Sequence, residues 1–308
     1  MHLATSLISL VRLAARSLLL LLGTFAVCFL LFHVIPGDPA RAILGINASP
    51  ESVAVLREEL GLNRPLTAQF TSNLTQLIRG DFGRSLTDHR PIRPLVAERF
   101  AISGMIGGMA CLIALVISYL LTVVAFLTPA LRWLPSLARS WVALPAFLSA
   151  VFLALTLGTF FPTLPLSGYA IQSAGWTAAI FPACIVTLYP AATMLAILGE
   201  RLRTAGTLPY WRAARATGTA PWHLLHRHGL APAWELWLTV WINQISLIFF
   251  TTFLVEIVFS IPGVGGLLLQ AIQRRDFSLL QGIVVFNALF FLTVQLAGDV
   301  IKIFAHRR

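Results

Sequence analysis

Long stretches without a single charged side chain are the strongest constraint on how this chain can fold. Residues 101–131 and 140–199 contain no Asp, Glu, Lys or Arg, and shorter uncharged runs cover 17–35, 236–255 and 277–298. A helix of about 20 apolar residues crosses the hydrocarbon core of a bilayer, so each run is long enough to span a membrane. Only 11% of the residues are charged, against about 25% in a typical soluble domain. The sequence therefore predicts an all-α polytopic membrane protein.

These runs divide into six predicted transmembrane helices. The run 140–199 is too long for one helix, and Arg132 and Arg139 bracket a short loop before it. The first run is longer than the apolar core of a secretory signal peptide, so we expect a retained helix. Proline and glycine predict a turn inside the longest run, at Pro162, Pro165, Gly168 and Gly175. The predicted spans are Ser17–Ile35, one within 101–131 that ends near Thr128–Pro129, Trp141–Phe161, Trp176–Leu198, Leu236–Val255 and Phe277–Gly298.

The distribution of basic residues sets the expected orientation. With the amino end inside, the inner segments hold twelve arginines and lysines against three acids, whereas the outer segments hold ten against eight. Lys and Arg concentrate on the cytoplasmic side of membrane proteins, so both termini are expected in the cytoplasm. The chain then divides into residues 1–35 with the first helix, an extracytoplasmic loop 36–100, and a core 101–308 with five helices and a cytoplasmic loop 199–235. This topology accounts for the net charge of +10 without a nucleic-acid partner.

Residues 210–218 form a basic, polar island between two apolar runs. A capping Thr207 and Pro209 predict the start of a short helix, and Gly218 predicts its end. The same start signal recurs at Thr219. One face of this helix carries mostly small side chains, so another protein can approach its backbone closely. That face consists of Tyr210, Ala213, Ala214 and Thr217, while Arg212 and Arg215 lie on a different side.

Four separated motifs give the chain a family resemblance. Arg212-Ala213-Ala214, followed after three residues by Gly218, resembles the coupling loop of ABC importer permeases, although Arg212 stands where the general pattern has Glu. The other three resemble markers of the peptide and nickel branch of that family. The resemblance as a whole covers the chain from Pro36 to about Asp299. They are Gly37-Asp38-Pro39 with Leu60-Gly61-Leu62 and Pro65-Leu66, then Gly80-Asp81-Phe82-Gly83-Arg84-Ser85, and finally the segment Glu256 to Gly265 with Arg275-Asp276-Phe277.

This resemblance implies a fold, a function and a set of partners. The fold would be that of a type I ABC importer permease with six transmembrane helices and a long extracytoplasmic first loop. The function would be half of a pore in the bacterial inner membrane, for uptake of peptides, nickel or a metal–chelator (metallophore) complex. The implied partners are a second homologous permease, two ATPase subunits, an extracytoplasmic substrate-binding protein and membrane lipid. ATP and Mg would bind to the ATPases, and this chain is expected to hold no cofactor, metal or catalytic residue.

The resemblance also assigns roles to residues. Coupling to the ATPase is expected at Tyr210, Trp211, Arg212, Ala213, Ala214, Arg215 and Gly218. The outer helix predicted at Pro50–Leu60 and the turn Gly80–Ser85 are expected to meet the binding protein. The candidate contacts there are Asp81, Phe82, Arg84, Arg274 and Asp276.

Polar residues near or inside the fifth predicted span leave two interpretations open. Asn243 and Gln244 lie in its middle, where polar groups are costly and face a bundle interior or a cavity. They either line a pore or form interhelical hydrogen bonds, and Glu256 at the end of the span is a candidate for the same roles. The three histidines that follow the basic island, at spacings of three and two, do not converge well enough to predict a metal site. The three cysteines, Cys28, Cys111 and Cys184, are expected to be small buried residues.

Two other function classes remain as alternatives. An ion-coupled secondary transporter would place ionisable residues in the middle of a span, and the sequence has none there. A membrane-tethered DNA-binding regulator could use the two short helices near residues 207–228, but that loop is tied to predicted spans at both ends. The sequence also lacks a phosphate-binding GxxxxGK[ST] motif, so ATP hydrolysis is expected on other subunits. Copurification with ATPase subunits would separate the permease from both alternatives.

Overall fold

The computed structural model describes residues 2–34, 39–44, 48–59, 61–160 and 176–305, and these residues are mostly helical. The helices are α1 His2–Val34, α2 Pro39–Leu44, α3 Pro50–Glu59, α4 Leu66–Ile78, α5 Ile92–Leu127, α6 Leu134–Val142, α7 Ala146–Phe160, α8 Trp176–Ala205, α9 Pro209–Ala216, α10 Pro221–His223, α11 Trp234–Val258, α12 Val264–Gln273 and α13 Phe277–Ala305. Between α10 and α11, Leu224–Leu230 forms a π-helix and Ala231–Ala233 a 3-10 turn.

Five helical segments are long and apolar enough to cross a membrane. They are Arg12–Leu30, Ile92–Leu127, Trp176–Ala205, Pro221–Val258 and Phe277–Lys302. A sixth crossing is obtained when Pro129–Val142 and Ala146–Phe160, which meet at 103°, are counted as one bent span. The prediction of an all-α polytopic chain is confirmed, and the predicted number of six spans is reached when this bent pair is counted as one.

The third predicted span, Trp141–Phe161, is wrong as a single straight helix. Its first residues belong to α6, and α7 begins only after Pro145. Proline has no N–H to donate, and it disfavours the helical conformation of the residue before it, here Leu144. The chain therefore bends at this point, and Arg139, expected in a loop, lies inside α6. The predicted turn at 162–175 lies outside the described residues.

One compact unit comprises residues 1–100 and 266–308. In this unit α1 packs along α13, and α4 packs on α1 because Phe70 contacts Phe25 and Phe29 at centroid distances of 5.3 and 5.4 Å. The predicted outer helix is confirmed as α3, and Gly61 follows it with φ +67°, a conformation that glycine adopts without strain. Of the first-loop motifs, Gly37, Asp38 and Leu60 lie outside the described residues. Helix α5 begins at Ile92, within the segment predicted as the extracytoplasmic loop.

The second compact unit comprises residues 101–265. Here α8 packs against α6, α7 and α11. One side of α8 is lined with small residues, which let neighbouring helices approach closely; those buried include Ala178, Ala179, Ala183 and Ala191. Thr187 on the same side lies within hydrogen-bond distance of Ala110 O in α5, at 3.2 Å. Cys184 is exposed rather than buried, because it stands on the opposite side of α8 with Ile180 and Leu188.

Candidate functional site

The short helix α9 begins and ends close to the predicted residues. Pro209 occupies its first turn, where a missing N–H has no consequence. Thr207 does not cap the helix: Leu208 precedes the first turn, and the Thr207 hydroxyl donates to Thr204 O at 2.8 Å. Gly218 follows the helix with φ +77°, the left-handed conformation that commonly ends a helix. The predicted helix is confirmed, and the predicted cap is wrong because Leu208, and not Thr207, occupies the N-cap position.

Trp211 anchors α9 inside its unit. Its side chain is only 6% exposed and packs in a cluster with Leu202 of α8 and Leu225 of the π-helix. Its ring meets Phe126 of α5 edge-on, with centroids 5.9 Å apart. The side chain that sequence analysis grouped with the ATPase contacts therefore faces the interior, where it joins α9 to α5 and α8.

The accessible surface of α9 is centred near Ala213. Ala214 is half-buried against the Trp211 cluster, so the accessible face is rotated from the predicted one. The exposed residues of α9 and its C-terminal flank include Tyr210, Arg212, Ala213, Arg215, Ala216 and Thr217. Within the part of the chain that the structure describes, the side chains of Arg212 and Arg215 form no ion pair. The result is an exposed helix face that is small at its centre and basic at its edges.

A hydrogen bond ties the segment after α9 to a transmembrane helix. The hydroxyl of Tyr119 in α5 lies 2.8 Å from Nε2 of His226 in the π-helix. Nδ1 of His226 lies 2.9 Å from the carbonyl oxygen of Trp222. A carbonyl can only accept, so in the neutral ring Nδ1 carries the proton and Nε2 accepts from Tyr119. Such π-helical turns frequently occur at functional sites, and sequence analysis missed this contact because Tyr119 lies within an apolar run.

Glu256 is enclosed at the end of α11 and caps the first turn of α12. The side chain is 0% exposed, and Gly265 N–H donates to its Oε2 at 2.7 Å. The Ser103 hydroxyl hydrogen-bonds the same carboxylate and accepts from Val264 N–H at 2.9 Å. The first N–H groups of a helix have no partner inside the helix, so an acceptor at this position satisfies one of them. Glu256 is thus an internal cap, which corrects its assignment as a pore-lining candidate.

The motif Pro262-Gly263-Val264-Gly265 makes room for this cap. A Cβ atom on Gly263 would overlap the Glu256 carboxylate, and one on Gly265 would lie 2.7 Å from Cα of Phe253 in α11. Both positions therefore require glycine because of space. On α11, Asn243 is exposed and Gln244 is buried, so only Asn243 reaches an accessible surface of this chain.

Asp276 organises a loop within the unit of residues 1–100 and 266–308. It is 1% exposed and accepts hydrogen bonds from the hydroxyls of Ser85 and Thr87, the latter at 2.7 Å. Leu86 N–H and Leu279 N–H donate to its Oδ1 at 3.1 and 3.0 Å. The carboxylate therefore fixes residues 85–87 and caps α13. As a buried group it is not a surface contact for a binding protein, and this corrects the expectation.

The other outer candidates stay near the surface. Asp81, Arg84 and Arg274 are exposed, and Phe82 is half-buried against Phe286. Arg274 also pairs with Asp88 at 3.1 Å, and an exposed pair of this kind contributes about 1 kcal/mol or less.

Acidification is expected to loosen the loop that Asp276 holds. Burial raises the pKa of Asp276, but hydrogen bonds from Ser85, Thr87 and two backbone N–H groups outweigh burial and leave this pKa below its usual value. The folded state thus favours the ionised form, so the stabilisation is complete above the unfolded-state pKa and is lost as the pH falls through the folded-state pKa. Hydrogen exchange of residues 85–91 should accelerate over that acidic range. Asp276→Asn should exchange fast at every pH, whereas Asp88→Asn should keep the wild-type profile.

Comparison with known families identifies the chain. Residues 112–308 match the family described as "Binding-protein-dependent transport system inner membrane component", and residues 7–103 match its N-terminal counterpart, "Binding-prot-dependent transport system membrane comp, N-term". The chain belongs to this family. The permease is also similar along its length to curated relatives.

A putative peptide transport system permease protein of Brucella abortus is 30% identical over 304 residues, which cover 96% of each chain. The glutathione transport system permease protein GsiC of Salmonella typhimurium is 30% identical over 279 residues, 89% of each chain. These findings confirm the resemblance. The permease is a multi-pass subunit of a bacterial ABC importer. Membership of this family implies an inner-membrane location, and it implies ATPase and binding-protein components as partners.

Within the described residues, no group of three His, Cys, Asp or Glu side chains is placed to hold a metal ion. That statement includes the three histidines after α9.

Proposed function

We propose that this permease forms one half of a peptide pore and that α9 receives the motion of an ATPase subunit. A second, homologous permease completes the pore, and two ATPase subunits bind ATP and Mg and hydrolyse ATP. The chain itself holds no cofactor and carries out no catalysis. Both termini lie in the cytoplasm, and a substrate-binding protein docks on the opposite side near Asp81, Arg84 and Arg274.

The arrangement of α9 carries this proposal. Its exposed face has only the methyl group of Ala213 at its centre, so a partner can come within contact distance of the helix backbone. Its buried face connects directly to transmembrane helices, through Trp211 to Phe126 and through the following segment to Tyr119. A force applied to the exposed face is therefore delivered to α5 and α8. Packed helices of this kind switch between discrete arrangements rather than stretch.

Peptide is the cargo that the relatives favour. Two groups of full-length relatives carry names that refer to peptide and to glutathione transport. Glutathione is itself a small peptide, so both names point to one chemical class. Nickel and metal–chelator complexes remain the alternatives that the sequence motifs allow.

A pull-down in gentle detergent from fresh membranes tests the proposal. Mass spectrometry should find the permease with two ATPases, a second permease and a binding protein, and a peptide retained on that binding protein. A nickel complex on the binding protein would reject the cargo but keep the assembly. If the chain emerged alone, under conditions that preserve other ABC complexes, the coupling role of α9 would be abandoned in favour of ion-coupled transport.

Removing the hydroxyl of Tyr119 is expected to weaken coupling without unfolding the permease. Tyr119→Phe keeps the ring and deletes one hydrogen bond to His226, a loss of about 1 kcal/mol. Uptake in membrane vesicles should fall by about five-fold, and hydrogen exchange of residues 222–230 should rise. Tyr189→Phe is the matched control, because the Tyr189 hydroxyl makes only a long contact of 3.4 Å with Val142 O. Equal uptake by wild type and Tyr119→Phe would remove this bond from the coupling path.

A further inference from the structure

A cavity of about 490 Å³ lies behind α9, on the side that carries Trp211. Its walls come from the end of α5, from α6, from the end of α8 and from α9 itself. Trp211 and Arg215 stand one turn apart on α9 and both line it. The exposed Ala213 does not line the cavity, so the cavity lies beside the centre of the face proposed to meet the ATPase, and Arg215 borders both.

The walls of this cavity are strongly basic. Four arginines, Arg132, Arg139, Arg203 and Arg215, line it together with a single acid, Glu200, which leaves a net charge of +3. Glu200 is already paired with Arg139 and with Arg203, each at 2.5 Å. Within the described residues, Arg132 and Arg215 have no ionic partner. The cavity therefore offers two free guanidinium groups, and this group matches the oxygens of a phosphate better than any other side chain.

The cavity also has an apolar wall at the level where a transmembrane helix ends. Phe126, Leu127 and Trp211 line it, and Leu127 is the last residue of the span α5. Trp133, just before α6, and Leu137, inside α6, expose large apolar surfaces. Aromatic and basic residues at the end of a span are typical of the interface between lipid tails and headgroups. A ligand of this cavity thus combines an anionic group with an apolar part.

We propose that the cavity binds the headgroup of an anionic phospholipid, with its phosphate between Arg132 and Arg215 and its acyl chains leaving past Leu127 and Trp133. Basic pockets between transmembrane helices bind such headgroups. The site itself does not depend on the proposed function, whereas its place in the cytoplasmic leaflet rests on the proposed orientation. A lipid held there touches both α9 and the end of α8, and so biases the position of α9.

Lipid retention by the purified full-length permease tests this site. The permease is titrated with phosphatidylglycerol or phosphatidylcholine, and native mass spectrometry measures the bound fraction. Wild type should prefer phosphatidylglycerol. The double variant Arg132→Gln with Arg215→Gln should bind it about thirty-fold more weakly, from the loss of two basic contacts. The pair Arg132→Lys with Arg215→Lys keeps the charge and should restore most of the binding, even if the glutamine pair proves poorly folded.

A second double variant provides the matched control. Arg201→Gln with Arg227→Gln removes the same charge from exposed positions of the same unit that do not line the cavity, and its retention should equal that of wild type. Equal binding of both lipids, or an equal loss in the control, overturns the proposal. So does complete displacement by inorganic phosphate, which would indicate a site for free anions. If the glutamine pair lost ATPase subunits but retained lipid normally, the arginines would belong to the ATPase contact instead.

Discussion

Ala213→Glu is expected to leave the permease folded and inserted but to lower ATP-driven uptake by about thirty-fold or more. Ala213 lies at the centre of the exposed face of α9, so a glutamate has room in the isolated chain. In the proposed complex the same side chain must fit against an ATPase, where an unpaired interfacial charge costs several kcal/mol. Uptake by membrane vesicles and the amount of ATPase that copurifies are the two measurements.

Three further variants make this test specific. Ala213→Ser adds one small atom and should transport normally. Ala231→Glu adds the same charge at an exposed residue of the following segment and should also transport normally. Ala214→Glu is less informative, because Ala214 is half-buried against the Trp211 cluster. A loss of uptake by this variant could come from weaker coupling or from lower stability of the permease. Normal uptake by Ala213→Glu would show that no partner approaches this face.

Gly265→Ala is expected to destabilise the unit of residues 101–265 by about 3 kcal/mol, which is the upper part of the range for overpacking. The added methyl group would lie 2.7 Å from Cα and 2.8 Å from the carbonyl carbon of Phe253. Both are backbone atoms, which no rotamer change can move aside. The N–H of Gly265 would then shift away from Glu256. Thermal unfolding of the purified permease should show a clearly lowered midpoint.

Gly108→Ala is the control for this substitution. Gly108 lies inside α5, and a Cβ atom there meets nothing within 4 Å. Alanine is a better helix former than glycine, so this variant should match or exceed wild-type stability. A Gly265→Ala permease that melted like Gly108→Ala would mean that α11 and α12 can separate without loss, and the steric reading of the motif would be wrong.

Local signals in the sequence predicted most of the helices and both ends of the α9 region. Pro209 and Gly218 act on their immediate neighbours, so their effect does not depend on the rest of the fold. The break before α7 was missed although its signal, Leu144-Pro145, was present in the sequence. The apolar composition continues without a charged residue from 140 to 199, and such a run predicts a continuous helix even where a proline lacks the N–H.

The roles of the buried acids were not predictable in the same way. Asp276 is held by Ser85, 191 residues earlier in the chain, and Tyr119 meets His226 across 107 residues. A motif shows that a carboxylate is present, but it does not show which distant hydroxyl will reach it. From the sequence Glu256 could therefore be given only as a candidate for pore lining or interhelical hydrogen bonding, because nothing near Ser103 in the predicted second span marks it as the partner.

The contact between Glu256 and the two glycines restricts the order in which descendants of this permease can change. While the carboxylate is present, any side chain at position 263 collides with it, so Gly263 cannot mutate first without a penalty. Loss of Glu256 removes that obstacle, because the three atoms nearest to the added Cβ all belong to this side chain. Gly265 gains no such freedom, because its neighbour is the backbone of Phe253. Substitutions at this site therefore have an expected order. Glu256 is replaced before Gly263, and Gly265 is retained.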